Sequence, residues 1–374
     1  MEVLFQSPDI GQTIRLQCSP ETLVRDLGVS IAQALRLKSV PILYTYLNER
    51  ASSELGRSTL VEGDRVVLPD DLRVGWVRDN LRDPSLPIYF ENIDVSKSEL
   101  FELRTLRFRQ SGYDVDKLQA KTVLIGGVGL LGGEIAANVA TVGVGELRVV
   151  DSGFVDWSNI YRQPLFSRDD VYKRKVDAVH DRLVEMGGTT VRTLQLQVPS
   201  WRHPLDEAQT RRHVASLDGL LAECSLAIGT FDSFSARAVL QYLCLSRRIP
   251  YLIAALEPGF GQVTLYTESK ETGCYCCGMP DPRHGTWYDG GACTLSPLDG
   301  QRIVAALATK LVLDWLGDTA TKNNAFTYIG RSTEIQPTRT SQNPRCSLCG
   351  PHGVADSSEV DIARTLIDWL LHQD

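Results

Sequence analysis

The fold is decided by VLIGGVGLLG, residues 123–132, in which three apolar residues run into a series of spaced glycines. An apolar run bounded by glycine indicates a buried strand, and residues 134–142 continue with the spacing of a helix. A strand, a GxGxxG turn and a helix place backbone N–H groups and the positive end of a helix where phosphate charge can bind. Gly127, Gly129 and Gly132 are therefore candidate nucleotide-binding residues, although dinucleotide-dependent enzymes show the same pattern.

The next strand, residues 147–150, ends at Asp151, 19 residues after Gly132. A carboxylate at this point can accept hydrogen bonds from a ribose, and an acidic strand end in solvent is the alternative. From Thr122 onward, strands and helices alternate for about two hundred residues, which is the pattern of an open, mostly parallel sheet. We therefore predict a Rossmann-like α/β fold.

A polar segment follows the second strand. SNIYRQ, residues 158–163, supplies Asn159, Arg162 and Gln163, and Lys175 comes in the next helical stretch. A dehydrogenase leaves its bound pyrophosphate intact and needs no such set, whereas attack of a carboxylate on an α-phosphate brings two anions together and requires cationic and amide donors. The segment therefore favours adenylation. The sequence contains no GxxxxGK[ST] loop, which excludes a P-loop site.

Two CxxC pairs lie far apart in the sequence, at Cys274 and Cys277 and at Cys346 and Cys349. Two residues between ligands allow both sulfurs of a pair to reach one tetrahedral ion, and four thiolates complete a closed structural site. We expect zinc here, with Cys276 as a non-ligand. A disulfide or free core cysteines would fit a reducing compartment less well.

Cys293 is the candidate nucleophile. It lies in GGACTLSP, residues 290–297, which predicts a flexible loop ahead of a helix over residues 300–316. A thiol in such a loop can form thiolate and attack an activated acyl group. Taken alone, the segment would favour an unreactive loop cysteine.

Together these motifs resemble the ubiquitin-activating-type superfamily, which includes the bacterial adenylating enzymes of molybdopterin and thiamine synthesis. The resemblance covers about residues 104–349 and implies a ThiF-type adenylation domain that uses ATP and magnesium. It implies that Asp151 binds the ribose and Asp232 holds magnesium. The residues that it implies for the phosphates are Asn159, Arg162 and Lys175, and it makes Gln163 a further ATP-binding residue. The second acidic residue that the family usually has is replaced here by Gly153, and the arginine that reaches across a homodimer interface is either Arg104 or Arg107.

The segment from residue 273 to 297 is also similar to the activating enzyme of autophagy, in which a zinc CxxC precedes a Cys-Thr nucleophile. That similarity implies that Cys293 forms a thioester with a ubiquitin-like protein ending in glycine and passes it to a cysteine conjugating enzyme. The short chain resembles activating enzymes of bacterial ubiquitin-like conjugation operons. One alternative is a sulfur-carrier adenylyltransferase without thioester transfer. The other is a dehydrogenase or a non-catalytic module.

Four regions are predicted along the chain. Residues 1–70 have the ββαββ order of a β-grasp domain, although residues 1–8 also look like a protease-recognition sequence from an engineered fusion. Residues 71–100 read as a linker and residues 101–354 as the adenylation domain with its zinc knot. Residues 355–374 form an amphipathic helix that either docks on the main domain or binds a partner.

Composition limits the function classes. The net charge of −7 argues against a general nucleic-acid or anionic-membrane surface, because both would require a basic excess. No apolar run reaches membrane-spanning length, and the N-terminus lacks a signal-peptide pattern. We therefore expect a cytoplasmic protein, in which some of the nine cysteines serve as metal ligands or nucleophiles.

Overall fold

The computed structural model describes six short strands between residues 2 and 77, residue 105, and residues 108–201, 204–267, 269–278, 298–319, 323–346 and 348–351. The chain divides into two compact units, residues 1–112 and 113–374. Arg104, Arg107, Cys293 and residues 355–374 lie outside the described residues.

The described strands of the first unit form three antiparallel pairs. They are β1 (Glu2–Ser7), β2 (Gln12–Gln17), β3 (Val40–Pro41), β4 (Tyr44–Tyr46), β5 (Arg65–Val67) and β6 (Trp76–Val77). Strand β1 pairs with β2, β3 with β6, and β4 with β5. The paired strands β1 and β2 agree with the two strands that begin the ββαββ order predicted for residues 1–70. Their assembly into a β-grasp domain remains a prediction.

The second unit is built on one eight-stranded sheet. Its strands are β7 (Thr122–Gly126), β8 (Glu146–Asp151), β9 (Thr190–Gln195), β10 (Leu226–Gly229), β11 (Tyr251–Glu257), β12 (Phe260–Tyr266), β13 (Ala325–Ile329) and β14 (Glu334–Thr338). The spatial order is β14-β13-β12-β11-β10-β7-β8-β9. The strands from β11 to β9 are parallel, and β12, β13 and β14 extend the sheet in antiparallel pairs. The mostly parallel sheet is therefore confirmed.

Eight helices flank the described part of this unit. They are α1 (Val115–Gln119), α2 (Leu130–Val142), α3 (Trp157–Ile160), α4 (Lys175–Met186), α5 (Glu207–Leu221), α6 (Phe234–Arg247), α7 (Ser269–Thr272) and α8 (Leu298–Leu316). Helix α2 is buried on nearly every side because it packs against both α4 and α8. It ends at Gly143, whose left-handed φ of 97° favours glycine.

The strand order reverses beside β7. The chain continues from β7 to β8 on one side and returns from β9 to β10 on the other. In an open parallel sheet, ligands bind outside the carboxyl ends of the strands at such a switch point. Strands β7 and β10 are buried almost throughout, so the chemistry must come from the segments that follow them.

Among the helices of the described residues, none combines the length and the apolar character that crossing a membrane would require.

Candidate nucleotide site and cysteine cluster

The glycine turn after β7 depends on the absence of side chains. Gly127 has a φ of +83° and donates its N–H to the Val150 carbonyl at 2.8 Å. At Gly132, a Cβ atom would lie 1.9 Å from the Gly127 carbonyl oxygen, so only glycine allows α2 to approach the turn. Helix α2 begins at Leu130 with Gly129 as its N-cap. The positive end of a 13-residue helix therefore lies at the switch point.

Asp151, at the end of β8, fastens this turn to the neighbouring strand. Its Oδ2 accepts a hydrogen bond from the Val128 N–H at 2.8 Å, and its Oδ1 accepts one from the Gly153 N–H at 2.7 Å. Each carboxylate oxygen can accept a second hydrogen bond. The side chain therefore shapes the turn while keeping capacity for a ribose hydroxyl.

Gly153 contacts Lys175 and so places this residue near Asp151. The Lys175 N–H donates to the Gly153 carbonyl at 3.0 Å. A Cβ at position 153 would lie 3.4 Å from Lys175 Cδ and 3.1 Å from Asp151 Oδ1. Glycine at this position therefore allows the lysine chain and the carboxylate to lie on either side of it.

Helix α3 presents the polar segment predicted from SNIYRQ. Asp156 and Asn159 form a capping box, in which Asn159 Oδ1 accepts the Asp156 N–H at 3.0 Å. The Arg162 Nε donates to the Ser158 carbonyl at 3.3 Å. Gln163 is buried, and its amide is about 4 Å from where a Gly129 Cβ would be. Asn159 thus caps the start of α3, and Arg162 follows two residues after the helix ends at Ile160.

The segment after β10 closes the third side of the turn. The Thr230 N–H donates to the Gly126 carbonyl at 2.8 Å, and its Oγ1 donates to the Gly127 carbonyl at 2.6 Å. The Phe231 ring fills the space beside Gly126. Asp232, exposed, comes next and precedes α6. Motif reasoning missed Thr230, because a single hydroxyl after a strand carries no sequence signal.

Three segments therefore converge on the glycine turn. They supply two carboxylates and two cations, namely Asp151, Asp232, Arg162 and Lys175. Cations beside a helix start can bind phosphate oxygens, and a carboxylate can hold magnesium through oxygen. The predicted residues of this site that the structure describes lie on these segments.

The four predicted cysteine ligands also come together. Their sulfur atoms all lie within 4.8 Å of one another. The sulfur separations are 3.6 Å for Cys274–Cys346, 3.3 Å for Cys277–Cys349 and 3.9 Å for Cys274–Cys277. Four sulfurs about 2.3 Å from one zinc ion would lie about 3.8 Å apart, so the cluster fits a tetrahedral metal site. Cys276 is not a member of the group.

The backbone around the cluster is arranged for a thiolate at Cys277. Its Sγ accepts N–H hydrogen bonds from Cys274 and from Asn343, each at 3.3 Å. Interactions with the Cys274 thiol, the other two thiols and the Asn343 N–H lower the pKa of Cys277. Gly273 has a φ of +71°, and a Cβ there would lie 2.9 Å from this sulfur. The segment therefore tolerates only glycine beside the ligand.

These features define a class: a Rossmann-like α/β domain with a phosphate-type glycine turn at its switch point and a four-cysteine cluster. A protein-family comparison makes the assignment specific. The ThiF family model matches residues 103–348, and the chain belongs to the ThiF family.

The curated relatives are named either as activating enzymes or as adenylyltransferases. The chain is 29% identical over 249 residues to the SAMP-activating enzyme E1 of Haloferax volcanii, covering 66% of this chain and 86% of that protein. It is 25% identical over 264 residues to the molybdopterin-synthase adenylyltransferase of Escherichia coli, covering 68% and 99%. It is 26% identical over 222 residues to the ubiquitin-like modifier-activating enzyme ATG7 of Lodderomyces elongisporus, covering 54% and 33%.

Among solved structures, E. coli MccB with AMPCPP and MccA is similar, with a TM-score of 0.52 and 22% identity. The match covers 63% of this chain and 68% of that one. At this identity the similarity supports the fold of the second unit.

Proposed function

We propose that this protein is an adenylating enzyme that activates the C-terminal glycine of a ubiquitin-like protein with ATP and magnesium. The observation that carries the proposal is the convergence of Lys175, Asp151 and the Asp232 segment on the glycine turn. A site that only binds a dinucleotide uses the glycine turn and an acidic residue such as Asp151, but it does not require Lys175 and Asp232 for a reaction at phosphorus. The family and the names of the relatives agree with adenylation.

Each residue has a defined role in the proposed reaction. The glycine turn and the start of α2 bind phosphate oxygens, and Arg162 and Lys175 neutralise charge as two anions approach. The partner's carboxylate oxygen attacks the α-phosphorus, the bond from that phosphorus to the β-phosphate oxygen breaks, and pyrophosphate leaves. Asp232 would hold magnesium, which supplies further neutralisation of the phosphates.

Pyrophosphate exchange into ATP tests the adenylation step. We expect exchange to require the partner and to fall by about 100-fold to 1,000-fold in Asp232→Asn and Lys175→Ala, the usual cost of losing one such group. Asp169→Asn and Arg182→Ala are the matched controls, because both residues are exposed and neither is a predicted site residue. Equal loss in variants and controls would reject the assigned roles.

We further propose that the Cys293 sulfur attacks the acyl adenylate. The sulfur–carbonyl bond forms, AMP leaves, and a cysteine conjugating enzyme accepts the acyl group. Helix α8 begins at Leu298, five residues after Cys293, so the chain carries this cysteine on the segment leading into a long helix. A conjugate that resists denaturant and is cleaved by reductant should form in the wild-type protein and in Cys276→Ser. It should be missing from Cys293→Ser.

A sulfur-carrier adenylyltransferase is the second candidate, because relatives of that kind are as similar as the modifier-activating ones. It shares the adenylation step. Pyrophosphate exchange with no reductant-sensitive conjugate would favour it over thioester transfer.

The remaining assignments complete the proposal. Zinc occupies the four-cysteine cluster as a structural ion, and a homodimer places Arg104 or Arg107 at the partner's site. Residues 1–70 form a β-grasp domain that recruits the conjugating enzyme, residues 71–100 are a linker, and residues 101–354 form the adenylation domain. Deleting residues 1–70 should leave thioester formation intact and slow transfer, whereas unchanged transfer would reject the recruiting role.

A further inference from the structure

One side chain, that of Arg237, joins the segment before Asp232 to the segment that begins at Cys274. Arg237 lies in the first turn of α6, and its Nε donates to the Phe231 carbonyl at 2.7 Å. Its Nη1 donates to the Tyr275 hydroxyl at 3.3 Å. The guanidinium therefore bridges the residue before Asp232 and the residue after Cys274.

Tyr275 is held firmly between two of the cysteines. It is buried, and its N–H donates to the Gln241 side-chain oxygen at 3.1 Å, one helical turn beyond Arg237. Its ring lies 5.0 Å from the Phe234 ring, measured between centroids. The cysteines and these aromatic residues belong to the same apolar core around α6. Folding of the cysteine cluster therefore fixes the position of the Tyr275 hydroxyl.

The arginine is held from its backbone as well. The Tyr251 hydroxyl donates to the Arg237 carbonyl at 3.1 Å, and Tyr251 is fully buried on β11. A guanidinium presents its donors in a rigid planar fork, so orienting one nitrogen orients the other. Loss of the Tyr275 hydroxyl should therefore alter the hydrogen bond from Arg237 to the Phe231 carbonyl, and with it the position of the backbone that carries Asp232.

We propose that Arg237 and Tyr275 are positioning residues that make the placement of Asp232 depend on the four-cysteine cluster. The proposal rests on the proposed function, in which Asp232 holds magnesium. Neither positioning residue needs to touch the nucleotide. Loosening the bridge should therefore raise the magnesium concentration that adenylation requires while leaving the reaction possible at high magnesium.

Tyr275→Phe is the sharpest test, because it removes one oxygen and keeps the ring against Phe234. Tyr266→Phe is its matched control, since Tyr266 is buried in the same core with its hydroxyl bonded to Thr264. In zinc-loaded full-length protein, we expect Tyr275→Phe to raise the magnesium concentration for half-maximal pyrophosphate exchange by about tenfold, the value of one hydrogen bond to a charged group. Zinc content and the rate at saturating magnesium should stay unchanged.

A purely structural role would instead lower the rate at every magnesium concentration. Arg237→Lys keeps the charge but cannot form both bonds, so it should raise the magnesium requirement at least as much as Tyr275→Phe. Equal magnesium requirements in Tyr275→Phe and Tyr266→Phe would overturn the proposal.

Hydrogen exchange of the amides in residues 229–234 provides a readout that is independent of activity. We expect faster exchange in Tyr275→Phe and after zinc chelation, and no change in Tyr266→Phe. Unchanged amide hydrogen exchange in a Tyr275→Phe enzyme that is still active would overturn the coupling and leave the adenylation proposal intact. Faster amide hydrogen exchange in Tyr275→Phe, in a protein that shows no pyrophosphate exchange activity, would support the coupling and reject adenylation.

Discussion

The glycine turn and the cysteine cluster belong to the same unit of the chain, but one is built from backbone and the other from side chains. The turn is made of backbone, and its shape requires side chains to be absent at Gly127 and Gly132. The cluster is made of side chains, and its shape requires four sulfurs to be present. Adding a side-chain atom at these glycines should therefore disrupt the turn, whereas removing one of the sulfurs should disrupt the cluster.

The largest expected effect is at the cluster. Cys277→Ser should abolish stoichiometric zinc binding and lower the free energy of unfolding by more than about 4 kcal/mol, because a structural metal contributes directly to folding. Metal analysis and denaturant unfolding measure both quantities. Cys276→Ser, one residue away, should retain the zinc and the stability. Equal loss in the two variants would show that the segment, rather than the four-sulfur site, carries the stability.

The second effect is at the turn. Gly132→Ala should destabilise the domain by about 3 kcal/mol, because the new methyl group meets a backbone oxygen that has no room to move. The matched change is Gly219→Ala in α5, where a Cβ would meet nothing within 4 Å. That variant should be more stable than wild type by up to about 1 kcal/mol. Denaturant unfolding compares the two directly, and equal behaviour would contradict the close approach of α2.

A smaller loss is expected at the carboxylate that fastens the turn. Asp151→Asn replaces one acceptor oxygen by an NH₂ group that faces a backbone N–H, which should cost about 1–3 kcal/mol of stability. ATP affinity, measured by calorimetry, should fall with it. Asp169→Asn, on an exposed segment, should change stability by less than about 0.5 kcal/mol. An unchanged Asp151→Asn variant would mean that the turn holds its shape without the carboxylate.

The smallest effect on stability is expected at Glu146, at the start of strand β8. Glu146 is paired with Arg148 at 2.9 Å, and hydrogen bonding from Arg148 lowers the pKa of Glu146. A lowered folded-state pKa contributes stability above the unfolded value near 4.3 and loses it as pH falls through the folded value. Glu146→Gln should therefore cost about 1–2 kcal/mol at pH 7 and progressively less below about pH 4. A pH-independent difference in unfolding free energy would contradict the ion pair.

The sequence was most informative where function requires a fixed residue type at a fixed spacing. The glycine turn, the strand ending at Asp151, the SNIYRQ segment and both CxxC pairs are contiguous patterns. The structure brings the first three to one turn and the two CxxC pairs to one cluster. The expected helix over 300–316 begins two residues earlier, at Leu298. The start of α2 at Leu130 was missed because Gly132 and Gly133 read as turn residues.

Other features depend on contacts between distant segments. The antiparallel extension through β12, β13 and β14 has no motif, because pairing direction depends on how the chain returns to the sheet. The bridge from Arg237 to Tyr275 joins residues 38 positions apart through side chains of ordinary types. Such contacts become visible only when α6 is packed against the cysteine segment.

The most direct test of the central claim is pyrophosphate exchange into ATP with purified protein, magnesium and a ubiquitin-like partner, compared with the same partner lacking its terminal glycine. We predict exchange with the intact partner that is lost with the truncated one and is greatly reduced in Lys175→Ala but not in Arg182→Ala. Pyrophosphate exchange that is equal with the intact and the truncated partner, or that is unchanged in Lys175→Ala, would contradict the proposal that this site activates a protein's C-terminus.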